Sequence, residues 1–255
     1  MEFIDTHSHL YDEAFTGEED LALQRAVEAG VTRLIFPDID SQSREAMFRF
    51  ADRHDGVIFP CLGLHPTSVD AGWEKEMIEV EAHLDRKIWA IGEIGIDCYW
   101  SKEFLEQQKE VLRIQLEMAS RLDLPVIIHS RESTELIINI LKECKHLGIR
   151  GVFHAFSGSK ETFRELDRSG EWYIGLGGVL TYRKASIAET AKEIPLDRIL
   201  LETDSPYLTP VPFRGKRNES SYIPYIAQKL SELTGRSIEE IAAVTTENAQ
   251  KLFKI

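Results

Sequence analysis

The chain has 255 residues, 43% hydrophobic and 29% charged, which suits a folded protein and excludes wholesale disorder. A net charge of −13 leaves no global positive field to hold nucleic acid, so phosphate handling demands a local basic patch or bound cations. Only Cys61, Cys98 and Cys144 occur, without a C-x-x-C pair, which argues against a disulfide framework and a thiolate zinc knuckle. MEFIDTHSHL has no basic or long apolar region, and nowhere do about 18 apolar residues run together, so a soluble, cytoplasmic protein is expected.

Short apolar, β-branched runs predict strands, and amphipathic stretches between them predict helices. A strand over 3–5 leads to a helix over 18–29, which Gly30 ends as glycine does beyond a helix. Strand and helix then alternate over 31–36 and 44–53, 57–62 and 74–84, 88–92 and 104–121. Pro125 opens a strand over 126–128, where its missing N–H is tolerable, and the helix over 134–145 stops before Gly148. Next come 151–153 and 160–167, 172–176 and 185–193, and a strand over 199–201. Two more helices, over 222–233 and 238–252, close the chain, the last opened by Ser237 and Glu240 in capping-box spacing. Eight alternating units predict an α/β fold, a TIM-like (β/α)8 barrel with extra C-terminal helices. An open doubly wound sheet would show a Gly-rich phosphate loop after the first strand, where this chain reads THSHL. With no linker or low-complexity tract, residues 1–255 read as one domain.

The polar residues gather at one end of the strands. In a barrel the C-terminal strand ends share one mouth, where chemistry resides. There the chain places Asp5-Thr6-His7-Ser8-His9, Leu64-His65-Pro66, Glu93 through Asp97, His129-Ser130-Arg131, His154, and Glu202-Thr203-Asp204. Alternate residues of an extended strand face the same side, so His7 and His9 can face one point. His129 and His154 each follow a strongly apolar run. One such histidine is ordinarily a satisfied core residue, but four at one mouth suit a shared divalent cation. Glu93 and Asp204 follow apolar strands and need a cation or donors; alone, each could pair with an arginine such as Arg131. Together the six suit two adjacent metal ions, with Glu93 as the candidate bridge and Asp204 beside His7 and His9 across the barrel closure.

His65, in GLHP, reads either as a substrate-facing group or as a structural turn residue. Asp97 and Arg131 flank the site and could orient a ligand or bind substrate. His54, His83 and His146 lie in charged helical stretches and read as surface residues. Arg214, Lys216, Arg217 and Asn218, with Arg183 and Lys184, would form an anion-binding rim. Phe156, Tyr182, Tyr207 and Phe213 occupy the same loops and could stack on bases or simply pack.

At this point the sequence resembles the TatD family of metal-dependent deoxyribonucleases, within the amidohydrolase-like metal-dependent hydrolases. The matching segments are DTHSHL, GLHP, GEIGIDCYW, PVIIHSR, HAFSG and LETDSPYLTPVPFRGKRNESSY, spread over residues 5 to 222. The resemblance implies a TIM-like barrel, divalent-metal dependence and 3′→5′ exonucleolytic hydrolysis of DNA. It also implies His7, His9, Glu93, His129, His154 and Asp204 as metal ligands. Two departures are visible. Ser220 stands where family members often carry the proline of RNEP, and Cys98 where an aromatic residue is usual. A carboxylated lysine bridge finds no support, since the fourth strand runs into Glu93.

The expected chemistry is attack on phosphorus by a metal-activated water, with Asp204 as ligand and base, Glu93 as bridge, and His65 steadying phosphate oxygens and leaving group. The family points to Mg²⁺, whereas an imidazole-rich ligand set suits Zn²⁺, Mn²⁺ or Fe²⁺. Two rivals remain: a barrel hydrolase of a small phosphoester, lactone or cyclic amide, and a non-catalytic metal-binding protein.

Overall fold

Along each strand the apolar side chains alternate between two faces, and the fold must cover both. The computed structural model, which describes residues 1–255, does this with a closed ring of strands. These are β1 (Phe3–Asp5), β2 (Val31–Phe36), β3 (Ile58–Pro60), β4 (Ile91–Asp97), β5 (Val126–Arg131), β6 (Gly151–Phe153), β7 (Trp172–Leu176) and β8 (Ile199–Leu201). They pair in parallel and in sequence order, β1 through β3 and β4 through β8. Two seams join these arcs. Thr6 N–H donates to the Leu201 carbonyl at 3.0 Å, and Gly92 N–H to the Leu62 carbonyl at 3.0 Å. The expected eight-stranded TIM-like barrel is therefore closed.

Its interior holds Ile4, Ile35, Phe59, Ala90, Ile127, Val152, Tyr173 and Leu200, one from each strand or its threshold. The last helix, α9 (Ile238–Phe253), adds Ala249, Leu252 and Phe253 to the same cluster and stoppers the barrel floor. Val126 and Ile128, the neighbours of Ile127, face the larger outer cluster, as alternation requires. That outer layer is shared with α1 (Glu19–Glu28), α2 (Ser41–Arg53), α3 (Trp73–Ala82), α4 (Leu105–Leu122), α5 (Thr134–Glu143), α6 (Lys160–Asp167), α7 (Ile187–Ala191) and α8 (Ile223–Thr234). No helix is long and apolar enough to cross a membrane.

Most elements lie within two residues of their sequence-based bounds, and the exceptions have physical reasons. The strand expected over 88–92 starts at Ile91 and continues to Asp97, because Ile94 and Ile96 carry the buried outer face onward. Its partner β5 lengthens to Arg131 to pair with it. Gly95 permits this approach: a Cβ there would lie 2.0 Å from the His129 carbonyl oxygen. Helix α2 begins at Ser41 rather than 44, because the Asp40 carboxylate accepts from Gln42 and Ser43 N–H.

Phe253 is 2% exposed within the floor cluster, so truncation leaves a cavity that a closed barrel cannot collapse. Phe253→Ala should cost about 3–5 kcal/mol in urea unfolding. A loss below about 1 kcal/mol would show that α9 is not a structural stopper.

Candidate metal centre

One layer above the apolar floor, the interior turns polar. His129 follows Ile127 by two residues, His154 follows Val152, and Glu202 follows Leu200, so each shares the inward face of its strand. Glu93 arrives differently. The β4 register shifts between Ile91 and Ile94, which leaves both isoleucines outside and turns the Glu93 carboxylate inward.

Glu93 then becomes the hub. Its Oε2 lies 3.0 Å from His7 Nε2 and 3.8 Å from His9 Nε2. Its Oε1 lies 2.9 Å from His129 Nδ1, 3.1 Å from His154 Nε2 and 3.3 Å from His65 Nε2. Asp204 Oδ1 stands 3.7 Å from His7 Nε2 and 3.6 Å from His9 Nε2. The structure thus gathers all six residues expected as ligands, with His65 beside them. Donor atoms of His7, His9 and Asp204 form one compact group, and those of His65, Glu93 and His129 another.

The hydrogen bonds distinguish the roles of these imidazoles. Tyr11 donates its hydroxyl proton to the Pro37 carbonyl, so its oxygen accepts from His9 Nδ1–H at 2.8 Å. That leaves a lone pair on His9 Nε2, aimed into the site. At 3.1 Å, His7 Nε2 and His9 Nε2 converge as two ligands of one ion would. His65 has the opposite tautomer. Its Nδ1 accepts from Thr67 N–H at 3.2 Å and from the Thr67 hydroxyl at 2.6 Å, which puts the proton on Nε2. His65 therefore presents a donor rather than a lone pair. His154 Nδ1 lies 3.5 Å from Glu202 Oε1, which also accepts Ala155 N–H at 2.5 Å. That carboxylate behind an imidazole fixes ring orientation and raises ligand basicity.

The electrostatics are those of a crowded, water-poor site. Burial alone would raise the Glu93 pKa, yet His154, His65 and His7 hold it well below the usual carboxylate range. Burial opposes charge on His154, but Glu93 and Glu202 push its pKa well above the ordinary imidazole value. His129 is raised against its own burial by hydrogen bonds to Asp97 and Glu93. Asp97 is held at about 2: burial opposes this, but His129 and the Trp100 and Tyr99 N–H groups outweigh it. His7 is lowered by burial and by neighbouring His154. Without a cation, the surrounding carboxylates favour protonation of His129 and His154. Divalent cations would take over that charge and release protons, and the imidazole and carboxylate donors fit them.

Other buried residues hold this arrangement, and the sequence did not reveal their roles. Asp5 Oδ1 accepts from His7 N–H at 3.2 Å and Thr203 N–H at 2.9 Å, and Asp204 N–H donates to the His7 carbonyl at 2.8 Å. This seam between β1 and β8 sets His7 against Asp204. Asp38 Oδ2 accepts from Arg44 Nε at 2.7 Å and Gly63 N–H at 3.2 Å, while its backbone bonds to Gly92 and Glu93. The pair thereby ties the Glu93 backbone to the loop carrying His65. Glu202 and Asp5 had a detectable signal, since both are carboxylates at strand ends. Tyr11, Asp38 and Arg44 had none.

The expected substrate rim is only partly formed. Arg131 is exposed at the end of β5, Arg214 lies 4.1 Å from the Tyr182 ring centroid, and Lys216 is exposed. Arg217 and Asn218 are corrections. Arg217 donates to Glu18 at 2.6 Å, to Glu219 at 3.2 Å and to the Ala14 carbonyl, so its charge is already matched. Asn218 is fully buried and donates to the Thr203 and Tyr207 carbonyls at 2.8 and 2.5 Å. It folds the loop under Asp204 rather than facing substrate. Ser220, at the family departure, is buried and donates to Ser8 Oγ at 3.2 Å. Phe156 is buried, Phe213 stacks on Tyr222 at 4.3 Å, and Tyr207 is exposed. His54 pairs with Asp20 and His83 with Glu45, away from the site.

Comparison with known proteins agrees with this geometry. The family model described as TatD related DNase matches residues 4–254. An uncharacterized metal-dependent hydrolase of Bacillus subtilis, YabD, is 41% identical, covering 98% of this chain and 98% of its own. An uncharacterized metal-dependent hydrolase of Escherichia coli, YjjV, is 34% identical, covering 99% of this chain and 98% of its own. The crystal structure of YjjV, a TatD homolog, superposes with a TM-score of 0.89 at 32% identity, over 99% of this chain and 98% of that one. A TatD family hydrolase from Entamoeba histolytica gives 0.83 at 25% identity, over 99% and 98%.

Tyr11→Phe removes the acceptor that fixes the His9 tautomer. It should weaken divalent-metal affinity about 10- to 100-fold by isothermal titration calorimetry; unchanged affinity would separate Tyr11 from the site. Asp5 offers a pH test. Burial pushes its pKa up to about 7 from an ordinary 3.8, against hydrogen bonds from Thr203, Ser220 and His7. Between those values the folded chain keeps a proton that the unfolded chain releases, so stability falls as pH rises and levels off above about 7. Urea unfolding with chelator from pH 5 to 8 should shift the gap between wild type and Asp5→Asn by roughly 2–3 kcal/mol in the variant's favour. A pH-independent gap would refute this.

Proposed function

Given that this chain belongs to the TatD-related DNases and is a metal-dependent hydrolase, we propose that it cleaves DNA phosphodiester bonds as a 3′→5′ exodeoxyribonuclease, with residues 1–255 as one hydrolase domain. One observation carries the reading: four imidazoles and two carboxylates converge at the barrel mouth beside His65, a histidine that presents an N–H. His7, His9, Glu93, His129, His154 and Asp204 would hold two divalent ions, Glu93 offering Oε2 beside His7 and His9 and Oε1 beside His129 and His154. Such ions neutralise phosphate charge and lower the pKa of a coordinated water toward about 7. Mg²⁺ is the family's expected ion; Zn²⁺, Mn²⁺ and Fe²⁺ suit the imidazole-rich set.

The side chains supply the rest. The Asp204 carboxylate, only 16% exposed, accepts the proton of the attacking water. Burial works against its charge, but the neighbouring His9, His154 and His7 imidazoles hold its pKa low, so it stays ionised and able to accept. His65 Nε2–H donates to a phosphate oxygen or to the leaving oxygen, where negative charge grows. The exposed Arg131, Arg214 and Lys216 meet flanking phosphates around the mouth.

The direct test titrates metal-free protein with Mg²⁺, Mn²⁺ and Zn²⁺ against end-labelled single- and double-stranded DNA. Release of mononucleotides from the 3′ end is expected. Internal cuts, or turnover of small esters with none of DNA, would favour a different hydrolase. Asp204→Asn should keep the fold by circular dichroism yet lose about 10²- to 10⁴-fold in turnover. Wild-type turnover in that variant would remove Asp204 from the mechanism.

A further inference from the structure

Beyond the metal layer, β4 and β5 continue side by side, with Gly95 paired to His129 and Asp97 paired to Arg131. Arg131 stands two residues past His129 on the same strand face, roughly 7 Å farther out. Burial fades along β5, and Arg131 at its end is exposed. The chain leaving β4 sends two large aromatic side chains to the same place. Tyr99 is 50% exposed and Trp100 is 69% exposed, an unusual amount of apolar ring to leave in water.

These rings are not loosely held. Asp97 Oδ1 accepts from Tyr99 N–H at 2.9 Å and Trp100 N–H at 3.0 Å. The other oxygen of the same carboxylate is 2.9 Å from His129 Nε2. The loop is thus pinned to the wall of the metal centre. The Arg131 guanidinium lies 3.9 Å from the Tyr99 ring centroid and 5.4 Å from that of Trp100. The two rings meet edge to face, with centroids 5.0 Å apart. Arg131 is set against rings, whereas Arg217 is set against Glu18 and Glu219. Its positive charge therefore remains available in a chain of net charge −13.

An exposed indole, an exposed phenol and an unmatched guanidinium, about one nucleotide's reach from the metal centre, have a defined complement. We propose that Tyr99, Trp100 and Arg131 form a nucleobase-stacking subsite, which seats an unpaired base of the nucleotide next to the scissile phosphate. Stacking reads the π-face that every base presents, so this subsite grips bases without distinguishing among them. Arg131 adds cation–π attraction and a charge close to the adjoining phosphate. The inference rests on the nuclease reading given above.

The test compares two short, phosphorothioate-linked, fluorescein-labelled oligonucleotides with the Mg²⁺-loaded protein. One carries thymine bases; the other is abasic with the same backbone. By fluorescence anisotropy, wild-type protein should bind the thymine strand about ten-fold tighter or more. Trp100→Ala should lose most of that ratio, and Trp100→Phe, which keeps a ring, should retain most of it. Because the ratio compares bases at constant phosphate, a general loss of affinity does not mimic the effect. An identical ratio in wild type and Trp100→Ala overturns the subsite and leaves the nuclease reading standing. Wild-type protein that binds neither strand overturns both.

Discussion

The constraint on which the structure depends is the burial of the Glu93 carboxylate, 2% exposed, among five imidazoles. An ionised carboxylate taken from water without compensation costs several kcal/mol, so positive charge must accompany it. The histidines can supply that charge as protons, but the same lone pairs can bind divalent cations, and the site accommodates either. This exchange accounts for the surrounding construction. His9 is locked by Tyr11 in the tautomer that a cation needs. His154 is backed by Glu202, and His129 spans Glu93 and Asp97. His65 is held by Thr67 with its Nε2 proton facing inward, which marks it as a donor.

The barrel converts this chemistry into a layered object. Apolar residues and α9 close the floor, imidazoles and carboxylates form the next layer, and arginines and aromatic rings form the rim. Strand alternation does most of the sorting, since a residue two places beyond an interior aliphatic stays inside but moves toward the mouth. Where alternation would fail, local devices intervene. The register shift in β4 brings Glu93 inward. Gly175 leaves room for a buried carboxylate, since a Cβ there would sit 2.0 Å from Glu202 Oε2. The seam of Asp5, Thr203 and His7 closes the ring where His7 must face Asp204, so barrel closure and ligand placement are a single event.

The regular parts of this design were legible in the sequence. Apolar runs followed by His or a carboxylate announced both the strands and the inward polar layer, because one periodicity governs both. Contacts between distant residues were not. Asp38 and Arg44 are six residues apart, yet their buried ion pair matters because it reaches Gly63 and the Glu93 backbone, which no local pattern shows. Arg217 looked like rim charge beside Arg214 and Lys216. Its partner Glu18 comes from the opposite end of the chain, and a charge run carries no record of its counter-ions. Asn218 was misread for a related reason: a polar side chain in a basic loop resembles a ligand donor until the loop folds back over two carbonyl groups.

A net charge of −13 is compatible with a polyanionic substrate because charge acts over limited distance. At about 0.1 M salt the screening length is about 10 Å, so carboxylates on the outer helices are largely screened at the barrel mouth, whereas groups at the rim are not. On the proposed reading, binding rests on the local set: a cation-binding centre, His65 as a donor, and arginines laid on aromatic rings. An arginine backed by a ring keeps its charge and loses little freedom on meeting a phosphate, while one paired to a carboxylate must first give up that partner. On the proposed reading, such a rim favours grip at contact over capture from afar. Grip suits the proposed exonuclease, whose scissile bond must be held beside His65 and Asp204 while it is cleaved.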